Sequence, residues 1–286
     1  MKCGPLAILL VAIPVSGQTT DEIRGLLVNR IDEAKKAVGI VVGTVDEKGR
    51  NVISYGRFDQ NDPRTPDGNT VFEIGSITKV FTSLVLAEMV ERGEVKLDDP
   101  VAKYLPDTVK MPGRNGREIT LRDLSMQVSG LPSLPTNFKP ADPDNPYVDY
   151  DAAKLYEFLS SYKLRRDPGE KYEYSNLAVG LLGTALARRD GMSYGDMVRK
   201  RVLDPLGMED TSVLLSEAQI KNLAPGHDAG LSRVRNWGFD AIAGAGSLRS
   251  TASDMLVFLA ANMEITDQQP ARAGASRAHD ALDCGC

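Results

Sequence analysis

The stretch that decides the fold is Phe72-Glu-Ile-Gly-Ser76-Ile-Thr-Lys79-Val-Phe-Thr, which runs directly into Ser83-Leu-Val-Leu-Ala-Glu-Met-Val-Glu-Arg-Gly93. Good helix formers and apolar residues on nearly every face predict a buried helix, and Gly93 is a typical C-terminal stop. Ser76 falls in the first turn of this helix and Lys79 follows three residues later. Both side chains are therefore expected on one face, within hydrogen-bond reach of each other.

A serine–lysine pair of this kind has a chemical use. A serine hydroxyl is a weak nucleophile until a neighbouring base takes its proton, and a lysine among apolar neighbours can be that base. The start of a helix also offers backbone N–H groups and a positive dipole end where negative charge would develop. Because Ser-x-x-Lys is common by chance, as a capping serine and a solvated lysine, a second motif is needed.

The second informative stretch is Pro168-Gly-Glu-Lys-Tyr-Glu-Tyr174-Ser-Asn176-Leu-Ala-Val-Gly180. A turn signal leads to a tyrosine and an asparagine two residues apart, at the start of an apolar helix. Taken alone, Asn176 could cap that helix and Tyr174 could be half-buried packing. Beside a buried serine–lysine pair, a phenol can shuttle protons and an asparagine amide can hold a substrate carbonyl.

Composition narrows the possible functions. The 286 residues carry a net charge of −5 and no clustered basic stretch, which argues against nucleic-acid binding. The histidines are His227 and His279, and two of the three cysteines are Cys284 and Cys286 near the end, so a zinc site is not expected. We expect no cofactor, no metal and no disulfide framework.

The first 17 residues are typical of an export signal. Lys2 supplies a positive start, residues 5–15 form an apolar run, and Val15-Ser-Gly17 is a plausible cleavage site. The run is too short to span a bilayer. The sequence therefore predicts an exported protein, periplasmic or secreted, without a stable membrane span; a buried or disordered N-terminus is the alternative.

Residues 18–71 are predicted to form one region. Apolar residues at helical spacing indicate an amphipathic helix over 21–36, and strands are expected at 38–45 and 51–55 around a tight turn. These elements would form one edge of a sheet.

Residues 72–263 are predicted to be a mainly helical catalytic region, with helices at 152–162, 176–189 and 193–203. The irregular stretch 129–147 is long enough to be a functional rim. Residues 264–286, rich in alanine and arginine, differ in character and are interpreted as an atypical tail.

Four stretches together resemble the serine β-lactamase and penicillin-binding-protein superfamily, most closely the branch of class C β-lactamases, DD-peptidases and family VIII carboxylesterases. These stretches are Phe72-Glu-Ile-Gly-Ser76-Ile-Thr-Lys79, Tyr174-Ser-Asn176, Pro205-Leu-Gly-Met208 and Gly244-Ala-Gly-Ser-Leu-Arg-Ser-Thr-Ala-Ser-Asp254. The similarity covers most of residues 20–263, and the two catalytic motifs occur in the expected order.

The resemblance implies an α+β fold, in which an antiparallel sheet flanked by helices meets a largely helical lobe. It also implies acyl transfer on a small β-lactam, ester or amide substrate. Ser76 would attack the carbonyl, Lys79 and Tyr174 would share proton transfer, and Asn176 would orient the substrate. Tyr-x-Asn in place of Ser-Asp-Asn argues against the class A branch.

A rival motif, Gly191-Met-Ser193-Tyr-Gly195, matches the nucleophile elbow of α/β-hydrolases. That elbow needs a strand before the serine, whereas a helix is predicted there. Ser193 with Asp196 is instead expected to cap the next helix, and His227 is expected in a surface loop. The segment from Gly244 is interpreted as a tight turn beside the site.

The chain departs from the family pattern in one respect. No Lys/His-Thr/Ser-Gly triplet follows Asn176, and residues 264–286 do not resemble the remaining strands of the family's sheet. The hypothesis from sequence is a truncated or frame-shifted member of the family. Two functions stay open: an acyl-enzyme-forming serine hydrolase, and an impaired or non-catalytic penicillin-recognising relic.

Overall fold

A computed structural model describes residues 18–46 and 49–263. The predicted export signal at 1–17 and the predicted tail at 264–286 lie outside the described residues. Within the described ranges, the α-helices are α1 (Thr20–Val28), α2 (Thr78–Glu91), α3 (Leu121–Ser125), α4 (Ala152–Ser161), α5 (Asn176–Asp190), α6 (Tyr194–Val198), α7 (Asp204–Leu206), α8 (Glu217–Lys221) and α9 (Ala252–Asn262). The strands are β1 (Gly39–Asp46), β2 (Gly49–Gly56), β3 (Val71–Glu73), β4 (Gly113–Arg114), β5 (Arg117–Glu118), β6 (Gly226–His227), β7 (Arg233–Val234) and β8 (Arg249–Thr251).

The two long strands, β1 and β2, form an antiparallel ribbon that is covered by a helix on each face. On one face, Ile23 and Leu27 of α1 pack against Ile53. On the other face, α9 approaches so closely that a Cβ added to Gly43 would lie 2.9 Å from Leu256 Cγ. A two-stranded ribbon is marginal alone, so burial between two helices stabilises this one.

Helix α2 is at the centre of the main core, as its sequence predicts. Phe81, Val85 and Met89 are fully buried in it. The helix ends where Gly93 takes a φ of +71°, a left-handed conformation that favours glycine. Its opening turn is less buried than predicted, because Val80 is half exposed at the surface.

A second antiparallel pair, β3 with β8, brings two distant parts of the chain to the N-terminal end of α2. Val71 pairs with Thr251 and Glu73 pairs with Arg249. The chain therefore enters α2 directly beside the segment that precedes β8. That segment contains the 3₁₀ turn Ala243–Ala245, which confirms the tight turn predicted from sequence.

The architecture is mixed, with a helix-flanked antiparallel ribbon and a largely helical region, and the predicted α+β class is confirmed. In the described part of the chain no strand follows β8, so β1 pairs with β2 alone. None of the helices in residues 18–46 and 49–263 combines the length and apolar character that crossing a bilayer requires.

Candidate active site

Three predicted residues meet at the N-terminal end of α2. The Ser76 hydroxyl lies 2.6 Å from the Tyr174 phenol oxygen, and Lys79 Nζ donates a hydrogen bond to Ser76 Oγ at 2.9 Å. Ser76 lies in the 3₁₀ turn Gly75–Ile77 that leads into α2. The serine oxygen therefore has a potential base on either side.

Lys79 is held in place by a partner that the sequence did not reveal. Its side chain is buried, and Nζ donates a second hydrogen bond to the carbonyl oxygen of Ala245 at 2.7 Å. With Ser76 Oγ and Ala245 O as its two acceptors, the amine has a defined direction. The Ala243–Ala245 turn is thus part of the site rather than a neighbour of it.

The Tyr174 phenol is electrostatically coupled to Lys79. Nζ lies 4.9 Å from the centre of the tyrosine ring. Burial by itself raises the pKa of the Tyr174 phenol, but the Lys79 amine and the Ser76 hydroxyl together lower that pKa below its ordinary value. The phenol is therefore easier to ionise than a free tyrosine, as a proton-transfer group requires.

Asn176 faces the same site, and its alternative role as a helix cap is wrong. The residue that caps α5 is Ser175, whose hydroxyl accepts a hydrogen bond from the backbone N–H of Ala178 at 2.9 Å. Since the cap is occupied, the Asn176 amide is free to line a cavity of about 100 Å³ together with Ser76. It also lies within hydrogen-bonding reach of the Tyr147 phenol.

Three aromatic side chains, Tyr147, Trp237 and Phe239, also line this cavity and form an aromatic wall. The Tyr147 and Phe239 rings are stacked with centroids 4.8 Å apart, and the Trp237 ring lies 5.3 Å from Tyr147. Tyr147 comes from the irregular stretch that the sequence predicts as a rim. No sequence signal marked Trp237 or Phe239.

Beside this wall, the Glu73 side chain holds the backbone at Trp237. Its carboxylate accepts a hydrogen bond from the Trp237 N–H at 2.7 Å and lies 3.6 Å from the Arg249 guanidinium. Burial lowers the pKa of Arg249, an effect that the Glu73 charge opposes. The hydrogen bond from Trp237 ties β3, which leads into α2, to the loop that carries Trp237 and Phe239.

The rival serine has a structural role. Ser193 caps α6, and its hydroxyl donates a hydrogen bond to Asp196 at 2.6 Å. The expectation that His227 lies in a surface loop is wrong, because its side chain is largely buried and its Nε2 contacts Asp59 at 2.9 Å. Ser193 and His227 are thus bonded to different carboxylates and not to each other.

Comparison with known families agrees with this geometry. The sequence profile of the family described as Beta-lactamase matches residues 27–281. The chain belongs to the beta-lactamase family. This confirms the resemblance that the motifs indicated.

Several relatives place the chain within this family. It is 34% identical over 220 residues to D-alanyl-D-alanine-carboxypeptidase/endopeptidase AmpH of Escherichia coli strain K12, with 77% of this chain and 56% of that protein covered. It is 28% identical over 225 residues to a beta-lactamase of Pseudomonas fluorescens, covering 79% of this chain and 60% of the relative. The chain thus spans little more than half the length of these curated relatives.

Solved structures show the same fold. The chain superposes with a TM-score of 0.78 on a beta-lactamase/D-alanine carboxypeptidase from Yersinia pestis, at 29% identity, covering 91% of this chain and 72% of that one. It superposes with a TM-score of 0.73 on a class C beta lactamase from Rhodobacter sphaeroides, at 27% identity, covering 89% and 68% respectively. The beta-lactamase fold is therefore shared across most of the described residues.

Proposed function

We propose that this chain is a serine hydrolase that forms an acyl-enzyme on Ser76. The observation that carries the proposal is the position of Ser76 Oγ, 2.6 Å from the Tyr174 phenol and 2.9 Å from Lys79 Nζ. A nucleophile within hydrogen-bond reach of a base that a third group orients is the recurring arrangement in covalent catalysis. Here the orienting group is the Ala245 carbonyl, which holds Lys79.

The proposed reaction has two steps. As the Ser76 oxygen bonds to the substrate carbonyl carbon, its proton passes to Tyr174 or Lys79, which then return a proton to the leaving nitrogen or oxygen. Water then attacks the acyl-enzyme, the same groups take its proton, and the Ser76 oxygen leaves with a proton restored. Asn176, which lines the same cavity, would orient the substrate.

Small acyl compounds are the proposed substrates. The named relatives are carboxypeptidases and β-lactamases, so a D-alanyl peptide or a β-lactam is favoured, and a small ester remains a candidate on the family branch. The predicted export signal places the proposed activity in the periplasm or outside the cell. The division into residues 18–71 and a catalytic region 72–263 is part of the same proposal.

A second candidate is an impaired or non-catalytic protein that recognises penicillins without turning them over. The observation that favours it concerns the oxyanion hole. The Ser76 N–H lies at a helix start, where such donors lack helical acceptors, but the sequence has no Lys/His-Thr/Ser-Gly triplet after Asn176, the family motif whose strand would offer a second donor. Loss of one donor typically costs about 10²–10³ in rate.

Covalent labelling tests the proposal. A fluorescent penicillin and a fluorophosphonate probe are each incubated with the wild-type chain, with Ser76→Ala and with the matched serine control Ser193→Ala. We expect labelling of the wild type and of Ser193→Ala, and none of Ser76→Ala. Absence of labelling in the wild type by both probes, or labelling that survives Ser76→Ala, would refute an acyl-enzyme on Ser76.

Turnover then separates the two candidates. The labelled chain is tested for hydrolysis of a chromogenic cephalosporin, a nitrophenyl ester and a D-alanyl-D-alanine peptide. Multiple turnovers on any of them support the hydrolase and indicate its substrate class. Stoichiometric labelling without turnover supports the penicillin-recognising relic.

A further inference from the structure

The carbonyl that holds Lys79 belongs to a turn whose position is set by side chains outside the proposed catalytic set. Ala245 ends the 3₁₀ turn Ala243–Ala245 and is itself buried. Because its oxygen accepts from Lys79 Nζ at 2.7 Å, a displacement of the turn would redirect the amine. The groups that fix the turn therefore also fix the base.

Thr82 contacts this turn one residue before Ala245. It lies three residues after Lys79 on the same face of α2, is fully buried, and its hydroxyl lies 2.8 Å from the carbonyl oxygen of Gly244. Lys79 and Thr82, neighbours on one face of α2, are thus bonded to the carbonyl oxygens of Ala245 and Gly244, which are consecutive in the turn. The arrangement locks the register between helix and turn.

The direction of the hydrogen bonds follows from counting protons. Thr82 Oγ1 also lies 2.7 Å from the phenol oxygen of Tyr194 and 3.2 Å from the carbonyl oxygen of Thr78, a longer contact than the 2.8 Å to the Gly244 carbonyl. Burial raises the pKa of Tyr194, so the phenol keeps its proton and can donate it. If Thr82 gave its single proton to Tyr194, the Gly244 carbonyl would lose its donor. The consistent chain runs from the Tyr194 O–H to Thr82 and from the Thr82 O–H to the Gly244 carbonyl.

Glycines let α5 approach the same turn at backbone distance. A Cβ added to Gly244 would lie 2.9 Å from the Val179 carbonyl oxygen and 3.1 Å from the Cα of Gly183. Such spacing leaves no room for a side chain at either glycine. On the same side, the Thr184 hydroxyl donates to the Ala241 carbonyl at 2.5 Å. The turn is thereby held against α5 as well as α2.

We propose that Thr82 and Tyr194 are positioning residues that aim Lys79 at Ser76 through the Gly244–Ala245 turn. The proposal rests on the proposed function for its effect on rate, but its effect on geometry can be measured separately. Neither residue lines the substrate cavity, so a change in either one reaches Ser76 only through the turn, whose Ala245 does line the cavity. The acylation rate is expected to respond most, because it depends on the direction of the Lys79 amine.

Variants that remove one hydroxyl at a time test this role. Thr82→Val keeps the shape and loses the hydroxyl, Thr82→Ser keeps the hydroxyl, and Tyr194→Phe keeps the ring. The matched control is Ser83→Ala, the next residue of α2, whose hydroxyl bonds to Ser125 at 2.9 Å instead. Labelling with fluorescent penicillin at several concentrations gives the first-order acylation rate constant and the dissociation constant of the initial complex.

We expect Thr82→Val to slow acylation about tenfold, the value of one lost hydrogen bond, and to change the dissociation constant less. Thr82→Ser restores the rate, Tyr194→Phe gives a smaller loss, and Ser83→Ala leaves the rate unchanged. A wild-type rate in Thr82→Val overturns the proposal. So does failure of Thr82→Ser to restore the rate, or a loss that only follows the folded fraction measured by thermal unfolding.

A spectroscopic readout separates this proposal from the proposed function. The Tyr174 phenol is titrated by its phenolate absorbance, with Tyr174→Phe as the reference. Since Lys79 lowers the pKa of Tyr174, a misdirected amine in Thr82→Val should move that titration to higher pH, while Ser83→Ala leaves it in place. This shift supports the positioning role even if the wild type is never labelled, and an unshifted Tyr174 titration in Thr82→Val overturns it.

Discussion

A single added methyl group tests how tightly α5 and the active-site turn are packed. In Gly180→Ala, the new Cβ would lie 2.5 Å from Ile242 Cβ and 2.8 Å from Ile242 Cα. Carbon atoms in contact prefer about 3.5–4.0 Å, so the Ile242 backbone has to move by about 1 Å. Ile242 directly precedes the Ala243–Ala245 turn, and the movement therefore reaches the carbonyl that holds Lys79.

The magnitude follows from two opposing terms. Replacing glycine by alanine inside a helix gains about 1 kcal/mol of helix propensity, whereas forcing extra volume into a packed core costs about 1–3 kcal/mol. The clash involves backbone as well as side chain, which puts the cost at the upper end. We expect Gly180→Ala to lower the free energy of unfolding by about 1–2 kcal/mol.

Gly25→Ala is the matched control. It is the same substitution within α1, and a Cβ added there has nothing within 4 Å. It should therefore keep the propensity gain of up to about 1 kcal/mol. Urea denaturation of both variants should separate their free energies of unfolding by about 2–3 kcal/mol, and Gly180→Ala should also acylate more slowly. Equal stabilisation by the two substitutions would refute the close approach of α5 to the turn.

Three further outcomes are expected. Lys79→Met should move the titration of the Tyr174 phenol to higher pH, because burial raises the pKa of this phenol and the lysine that lowers it is gone. An unchanged absorbance titration would contradict the coupling between the two side chains. Arg201→Met should lower the free energy of unfolding by about 3–5 kcal/mol, because the buried guanidinium bonds three carboxylates at 2.6–2.7 Å. The control Arg64→Met removes a more exposed pair and should cost about 1 kcal/mol or less. Similar losses for the two variants in urea denaturation would argue against a buried network. Ser193→Ala should cost about 1 kcal/mol as a lost helix cap, and thermal unfolding that is unchanged would rule out that capping role.

Local sequence patterns predicted the elements that depend on near neighbours. Ser76 and Lys79 share a helix face because three residues make nearly one turn. The cap at Ser193 and the glycine stop at Gly93 depend on side chains and φ values within a few residues, and both are confirmed. The ribbon of β1 and β2 was also predicted from near neighbours, because it depends on two strand-forming stretches joined by a short turn signal.

Sequence reasoning placed Asn176 correctly at a helix start but could not decide what capped that helix. The neighbouring Ser175 hydroxyl takes the cap, and it is fixed further by donating to the Pro132 carbonyl at 2.6 Å. A contact with a residue that far away has no signature in the local pattern. The freedom of the Asn176 amide to face the cavity is thus a tertiary result.

By itself, the sequence determined which side chains are the candidates for the proposed chemistry, because Ser76, Lys79 and Tyr174 stand in two recognisable motifs. Only the tertiary structure decided that they meet. The Tyr174 phenol reaches Ser76 across 98 residues, and the Ala245 carbonyl reaches Lys79 across 166. Such contacts depend on how α2, α5 and the 243–245 turn pack together, and on backbone oxygens that every residue has, so no pattern of residue types could reveal them.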